Sequence, residues 1–318
     1  MSQHNPKLRA FIYLHIAVFL WGFTAILGKL ISYGSLDLVW HRMLLTAAIY
    51  FCIPATWKFI KKMSLKDIAI FFGIGAIVCA HWLTFYGSIK LGNSASVTLA
   101  CLGTASFFSS ILEPLITKKK FIYSEILLGI LVIAGILLIY VSMPEPTDKN
   151  VNYSMAILTG VCSALLAALF TVLNKKNIHK TDPLALSALE MASGALLLSI
   201  VIIAIGGAIT IPQWNPEQGI YDIAWILILV VLCTNLTFWL GSHSLKEMSA
   251  FTANLTVNLE PIYGIILGAL IFAEHEFLNL WFYAGTSLIL ISVFAQTAIE
   301  YRKRKREKQS NEELLIRE

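Results

Sequence analysis

Lys118-Lys119-Lys120-Phe121 is a basic corner, and 156 residues later the same corner reads Glu274-His275-Glu276-Phe277. The same offset pairs Ser88 with Ser244, Lys90 with Lys246 and Gly129 with Gly285. Upstream the offset is 145, matching Asp37 with Asp182, and the longer stretch over 206–222 absorbs the difference. Lys and Arg collect in cytoplasmic loops of membrane proteins. A repeated loop that turns from basic to acidic is therefore what results when a second copy enters a bilayer from the opposite side.

Outward from that corner the chain is apolar. Of its 318 residues 57% are hydrophobic and 14% charged, with a mean hydropathy of +0.73, against about 25% charged in an ordinary soluble domain. These figures exclude a soluble enzyme, a disordered chain and a nucleic-acid module. A helix needs about 20 apolar residues to cross a bilayer, and ten runs qualify: 11–32, 38–57, 68–89, 94–116, 122–143, 154–173, 184–206, 223–245, 250–272 and 278–299. A β-barrel would need alternating strands of about 10 residues, but Ile130–Val141 is apolar throughout. The expected fold is all-α, with ten transmembrane helices in two inverted five-helix repeats over 1–147 and 148–300, followed by a charged tail over 301–318. The first run, about 22 residues, exceeds the 7–15 of a signal-peptide core and reads as a retained helix.

With the N-terminus inside, twenty of the 24 Lys and Arg fall on cytoplasmic segments. Lys90 and Lys149 fall outside, and Lys29 and Arg42 lie inside spans near the outer face, where both are placed to snorkel to the interface. Both termini are thus expected in the cytoplasm and the protein in the cell (inner) membrane. The Arg302–Lys308 cluster reads as a stop-transfer signal touching anionic lipid, with no nucleic acid as partner. Cys52, Cys79, Cys101, Cys162 and Cys233 all sit within spans without a CxxC pair, as small buried residues do. No metal, cofactor, nucleotide or hydrolase motif is present, so a gradient must drive any transport. Inverted repeats are characteristic of secondary transporters, whose substrate sites lie near the bilayer midplane.

With these features the chain resembles an EamA-type carrier of the drug/metabolite transporter superfamily over about residues 10–300. The resemblance is carried by Leu20-Trp21-Gly22-Phe23, His41-Arg42, the Phe85–Val97 passage, Asn258-Leu259-Glu260-Pro261 and the stretch Gly268 to Glu274. It implies that spans 5 and 10 are peripheral and that spans 1, 3, 4, 6, 8 and 9 surround a central cavity. It also implies alternating access and, at family level, export of amino acids or related metabolites more than import. The family commonly has a proline mid-way along its fourth helix. Here Ala105 stands at the equivalent of Pro261 and Pro114 sits lower, leaving the first copy without a proline for a matching bend.

Glu260 is the sharpest single residue. Ten residues into the ninth span, it lies roughly 15 Å deep, where a carboxylate costs about 2.5–3.5 kcal/mol or more and faces a cavity or a partner. Pro261 frees the carbonyl of Val257, giving an acceptor beside a carboxylate that suits a substrate amine or a coupled proton. Asn254 with Asn258, and Thr252, Thr256 with Glu260, form two polar stripes, and Asn235 lies at similar depth in span eight. Trp21, His81, Trp82 and Tyr86 supply an amphipathic wall able to hold an organic metabolite, and Thr104 and Ser106 face Glu260 by the repeat alignment. Arg42 beside His41 suits a carboxylate at the outer mouth, and Glu190 suits an inner gate. Glu113 is expected to pair with Lys118–Lys120. For each of these the bland reading is helix packing or interhelical hydrogen bonding. The Gly73-Ile74-Gly75, Gly129/Gly135 and Gly264/Gly268 faces allow close packing within the chain or in a homodimer. Beside a metabolite carrier, two rivals stay open: an intramembrane lipid-modifying enzyme, and a non-transporting scaffold or sensor.

Overall fold

The computed structural model describes residues 6–118, 121, 123–146, 148–210, 214–215, 220–244 and 256–317. The helices are α1 (Pro6–Leu30), α2 (Ser35–Phe51), α3 (Pro54–Ile60), α4 (Leu65–Gly92), α5 (Ala95–Leu102), α6 (Ala105–Thr117) and α7 (Tyr123–Ser142) in the first half. The second half holds α8 (Tyr153–Asn177), α9 (Pro183–Ala204), α10 (Asp222–Val230), a π-helical stretch Val231–Leu236, α11 (Thr237–Ser244), α12 (Glu260–Phe272) and α13 (Leu280–Arg317). Seven helical stretches are long and apolar enough to cross a bilayer: Leu8–Leu30, Leu65–Gly92, Ala95–Thr117, Tyr153–Lys180, Pro183–Ala204, Asp222–Gly241 and Leu280–Ile299. The bent pair α2 and α3 makes an eighth, and two shorter apolar helices cover Leu127–Ser142 and Glu260–Phe272.

Local chemistry sets the ends. Ser64, Ser94 and Asn152 accept from the backbone N–H three residues on, and Asp182 accepts from Leu184 with Pro183 at the first helical position, each satisfying an otherwise orphan donor. Lys118 (φ 57°) and Ala273 (φ 51°) end α6 and α12 in the left-handed conformation. These are equivalent positions of the repeat, so both copies stop the same helix with the same cap. The run 38–57 does not cross as one rod. Pro54 starts a new helix after Cys52-Ile53, and α3 turns off by 89° with Trp57 exposed. The tail does not leave the last helix either, since α13 runs on to Arg317. Cys52 and Cys162 are exposed rather than buried.

The packing maps onto itself when the two halves are exchanged. The helix α4 packs on α8 as α11 packs on α1, and α5 and α6 lie on α8 as α12 lies on α1. The pairs α2 with α9, α5 with α12 and α7 with α13 join equivalent helices directly. Close approach at two of these contacts requires glycine. A Cβ on Gly135 would lie 2.7 Å from the Gly285 carbonyl, and one on Gly264 would lie 3.0 Å from the Gly22 carbonyl and 2.1 Å from Leu99. Gly75, Gly129 and Gly268 likewise face neighbours inside the chain, whereas Gly73 meets nothing within 4 Å. Between α9 and α10, Trp214–Asn215 pairs antiparallel with Ile220–Tyr221.

Candidate functional site

The connections gather Leu30, Ser35, Gly92, Ala95, Ser142, Tyr153, Ala204, Asp222, Phe272 and Leu280 at one end of the bundle. That end is sealed by Glu274. Its carboxylate is fully buried, 3.0 Å from Lys29 Nζ at the end of α1. It also accepts from the backbone N–H groups of Ala95 and Ser96, both at 2.9 Å, and from the Ser94 hydroxyl at 3.1 Å. Glu274 therefore sits on the N-terminus of α5, where a helix dipole favours an anion. Burial alone would push its carboxyl up, but the Lys29 charge and hydrogen bonds from Ser96 and Lys29 hold it below the ordinary carboxylate value. Nearby, the Ser32 N–H donates to Asp222 at 2.9 Å and Thr210 donates to Asp37 at 2.6 Å. Lys29 thus points into a buried pair instead of snorkelling.

The opposite end is held by exposed pairs. Lys175 of α8 lies 2.9 Å from Glu113 of α6, with the two side chains 54% and 25% exposed. Lys180 lies 2.8 Å from Asp67. Glu113 thus reaches across to α8, and not to the basic corner at Lys118.

Between the ends, Arg42 turns inward from α2 and is only 5% exposed. Its guanidinium carbon lies 3.7 Å over the Trp82 ring, Nη1 donates to Tyr86 Oη at 2.8 Å, and Nε donates to Thr234 Oγ1 at 3.1 Å. It reaches no interface, and His41 beside it turns elsewhere, bonding the Asp37 carbonyl at 2.8 Å. Thr234 is available because the backbone opens into a π turn there. Thr234 donates to the Leu229 carbonyl and Asn235 to the Val230 carbonyl, both five residues back. Single π turns recur at functional sites. Asn235 Oδ1 is buried with no hydrogen-bond partner among the described residues.

Glu260 opens α12 after a turn at Asn258-Leu259, and Pro261 takes the first-turn position that tolerates a missing N–H. Its carbonyl lies against Gly22 of α1, next to Trp21, which packs with Val257, Leu259 and Tyr263. Its side chain is half-buried, and the Arg42 charge acts on it without an ion pair forming. The first copy breaks at the matching place without a proline. The helix α5 stops at Leu102, Gly103 and Thr104 form the break, and α6 starts at Ala105. Broken helices meeting at depth are the usual frame of a transporter binding site.

The remaining sequence candidates divide. Trp82 and Tyr86 join Arg42, and Asn235 adjoins Thr234. His81 turns away to α8, where Nδ1 lies 3.0 Å from the Ser163 carbonyl and 2.9 Å from its hydroxyl. Asn258 donates to Thr297 of α13 at 3.1 Å. Thr104 is buried with its hydroxyl on the Cys101 carbonyl, and the half-buried Ser106 accepts from Gln296 through its carbonyl. Glu190 is buried in α9, with its backbone against Gly75 of α4 and Asn174 of α8 beside its side chain, apart from the Arg42 group. Asn254 lies outside the described residues. Thr234 and Glu274 were missed by the sequence reading as binding or closing residues. A cavity of about 400 Å³ opens at the linker, lined by Tyr140, Met143 and Asn152 among others, away from this cluster.

Two copies of one helical unit, broken helices at depth and buried polar groups in the interior define a polytopic membrane transporter. The family model described as the EamA-like transporter family matches residues 8–141 and again 154–297, so the chain belongs to that family. It is 23% identical to an uncharacterized transporter of Archaeoglobus fulgidus over 293 residues, covering 90% of this chain and 98% of that one. It is 25% identical to the uncharacterized inner membrane transporter YicL of Salmonella typhimurium over 313 residues, covering 92% and 95%. A solved crystal structure superposes with a TM-score of 0.58 at 12% identity, covering 95% of this chain and 99% of that one, a likeness of fold alone.

Proposed function

We propose that the chain is a secondary active carrier that moves a small organic metabolite, an amino acid or a related compound, across the cell (inner) membrane by alternating access. Ten spans in two inverted copies, 1–147 and 148–300, rock against each other, with both termini and the 301–318 tail in the cytoplasm. The Lys- and Arg-rich loops support that orientation. The observation that carries the reading is the Arg42 cluster: a buried cation, aromatic faces and the carboxylate of Glu260, set between two ends that are closed by different means. The Glu274 end is then the outer one and is shut, while the cytoplasmic end is held by exposed pairs alone. That is the state in which an exporter loads, so export is the favoured direction. Trp21, Trp82 and Tyr86 line the substrate path, Glu260 carries a coupled proton, and Glu190 with Asn174 works as an inner gate.

Cysteines introduced at Ser106 and Asn235, in a variant lacking the five native ones, test the reading with a membrane-impermeant maleimide. A carrier labels at both positions from either side of the membrane. A scaffold or a lipid-modifying enzyme labels from one side or neither. Glu260→Gln is expected to transport without a response to a pH gradient; a normal response removes Glu260 from proton coupling.

A further inference from the structure

Arg42 donates only to neutral oxygens, Tyr86 Oη and Thr234 Oγ1. Among the described residues no carboxylate lies within ion-pair distance of it, and its Nη2 has no partner. Lys29, by contrast, has a carboxylate at 3.0 Å. Removing a cation from water costs several kcal/mol unless an anion compensates it. The Trp82 ring fixes the guanidinium plane from one side, leaving a planar edge of the shape that binds a carboxylate through two parallel hydrogen bonds.

An anion and a spare acceptor wait across from it. The Tyr86 ring presses on Gly28 of α1, and the Glu260 carbonyl presses on Gly22. Those glycines are six residues apart, about 9 Å along the helix at 1.5 Å per residue. The charges of Arg42 and Glu260 therefore face each other across a gap and stay unjoined. Trp82, Thr234, Asn235 and Glu260 each keep part of their surface accessible around that gap, while Asn235 Oδ1 lacks a donor. A cation and an anion held apart at this spacing are complementary to a molecule carrying the opposite pair of charges on neighbouring atoms.

We infer that the substrate is a zwitterion of the α-amino-acid class, its carboxylate held by Arg42 against Trp82 and its ammonium turned toward Glu260 and Asn235. The inference rests on the carrier reading and narrows it. A neutral metabolite leaves both charges unmatched, and a simple carboxylate matches one of them.

The test is equilibrium binding to the purified full-length protein, read by thermal shift and titration calorimetry. The probes are the proteinogenic L-amino acids and, for each that binds, its carboxamide and its deaminated acid. At least one amino acid is expected to bind, its carboxamide and its deaminated acid each at least tenfold more weakly. Arg42→Lys is expected to lose at least tenfold for the amino acid. Glu260→Gln is expected to weaken the amino acid while leaving the deaminated acid unchanged. The comparison of the acid with its carboxamide uses the wild type and stands even where a variant does not fold. The inference is overturned if no amino acid binds, if the carboxamide binds as well as the acid, or if Arg42→Lys binds normally. Two-sided cysteine labelling in the face of any of those results leaves the carrier standing and removes only the zwitterion.

Discussion

The chain buries two cations within its helical bundle and treats them in opposite ways. Lys29 meets a fully buried carboxylate that is itself held by two backbone N–H groups and a serine hydroxyl. Arg42 meets an indole face, a phenol and a threonine, and no carboxylate among the described residues. The first arrangement is complete and closes one end. The second lacks its anion and lies between the broken helices. Compensation within the chain marks a structural contact, and its absence at a stiffly held guanidinium marks a place for a ligand.

That contrast is broken most severely at Glu274. Glu274→Ala strands Lys29 and the start of α5, and is expected to destabilise the protein by about 3–5 kcal/mol, measured by denaturant unfolding in detergent. Lys29→Met with Glu274→Leu, which removes both charges, is expected to recover most of that loss. Gly264→Leu drives a side chain into Leu99 and the Gly22 carbonyl, with an expected loss of about 1–3 kcal/mol. Acid sharpens the comparison. The Glu274 carboxyl is held below its ordinary value of 4.5, so its contribution is complete above that value and is lost as pH falls through the folded-state value. The gap in melting temperature between wild type and Glu274→Gln should therefore narrow in acid and be constant at neutral pH. Lys175→Ala, at the exposed pair with Glu113, is expected to change stability by less than about 1 kcal/mol, a control for the other end.

The repeat was legible because charge, span length and loop polarity all report on which side of a membrane a loop lies. The acidic corner at Glu274-His275-Glu276 was therefore readable as the mirror of Lys118-Lys119-Lys120. That Glu274 reaches back to Lys29, 245 residues earlier, was not, since nothing local marks which acid in a loop is drawn inward. Arg42 was visible as an intramembrane charge, but near a span end a snorkelling side chain and an inward one have the same sequence. Its direction depends on how α2 is rotated against α4 and α10. The break at Gly103 was hidden because a proline was the expected cause, whereas glycine and a threonine hydroxyl on the Cys101 carbonyl suffice. The π turn at Thr234 has no periodicity signature, because its polar side chains satisfy carbonyls five residues back. His81 and Asn258 looked like lining residues by polarity alone, and the packing hands them to Ser163 and Thr297.

The most direct test is exchange of radiolabelled L-amino acids across proteoliposomes holding the purified protein, wild type against Arg42→Gln, with melting temperature measured alongside. The account expects the wild type to exchange at least one amino acid well above protein-free vesicles and the variant to fall to that background while still folded. Wild-type exchange no greater than that of empty vesicles, or a folded variant exchanging at the wild-type rate, contradicts it.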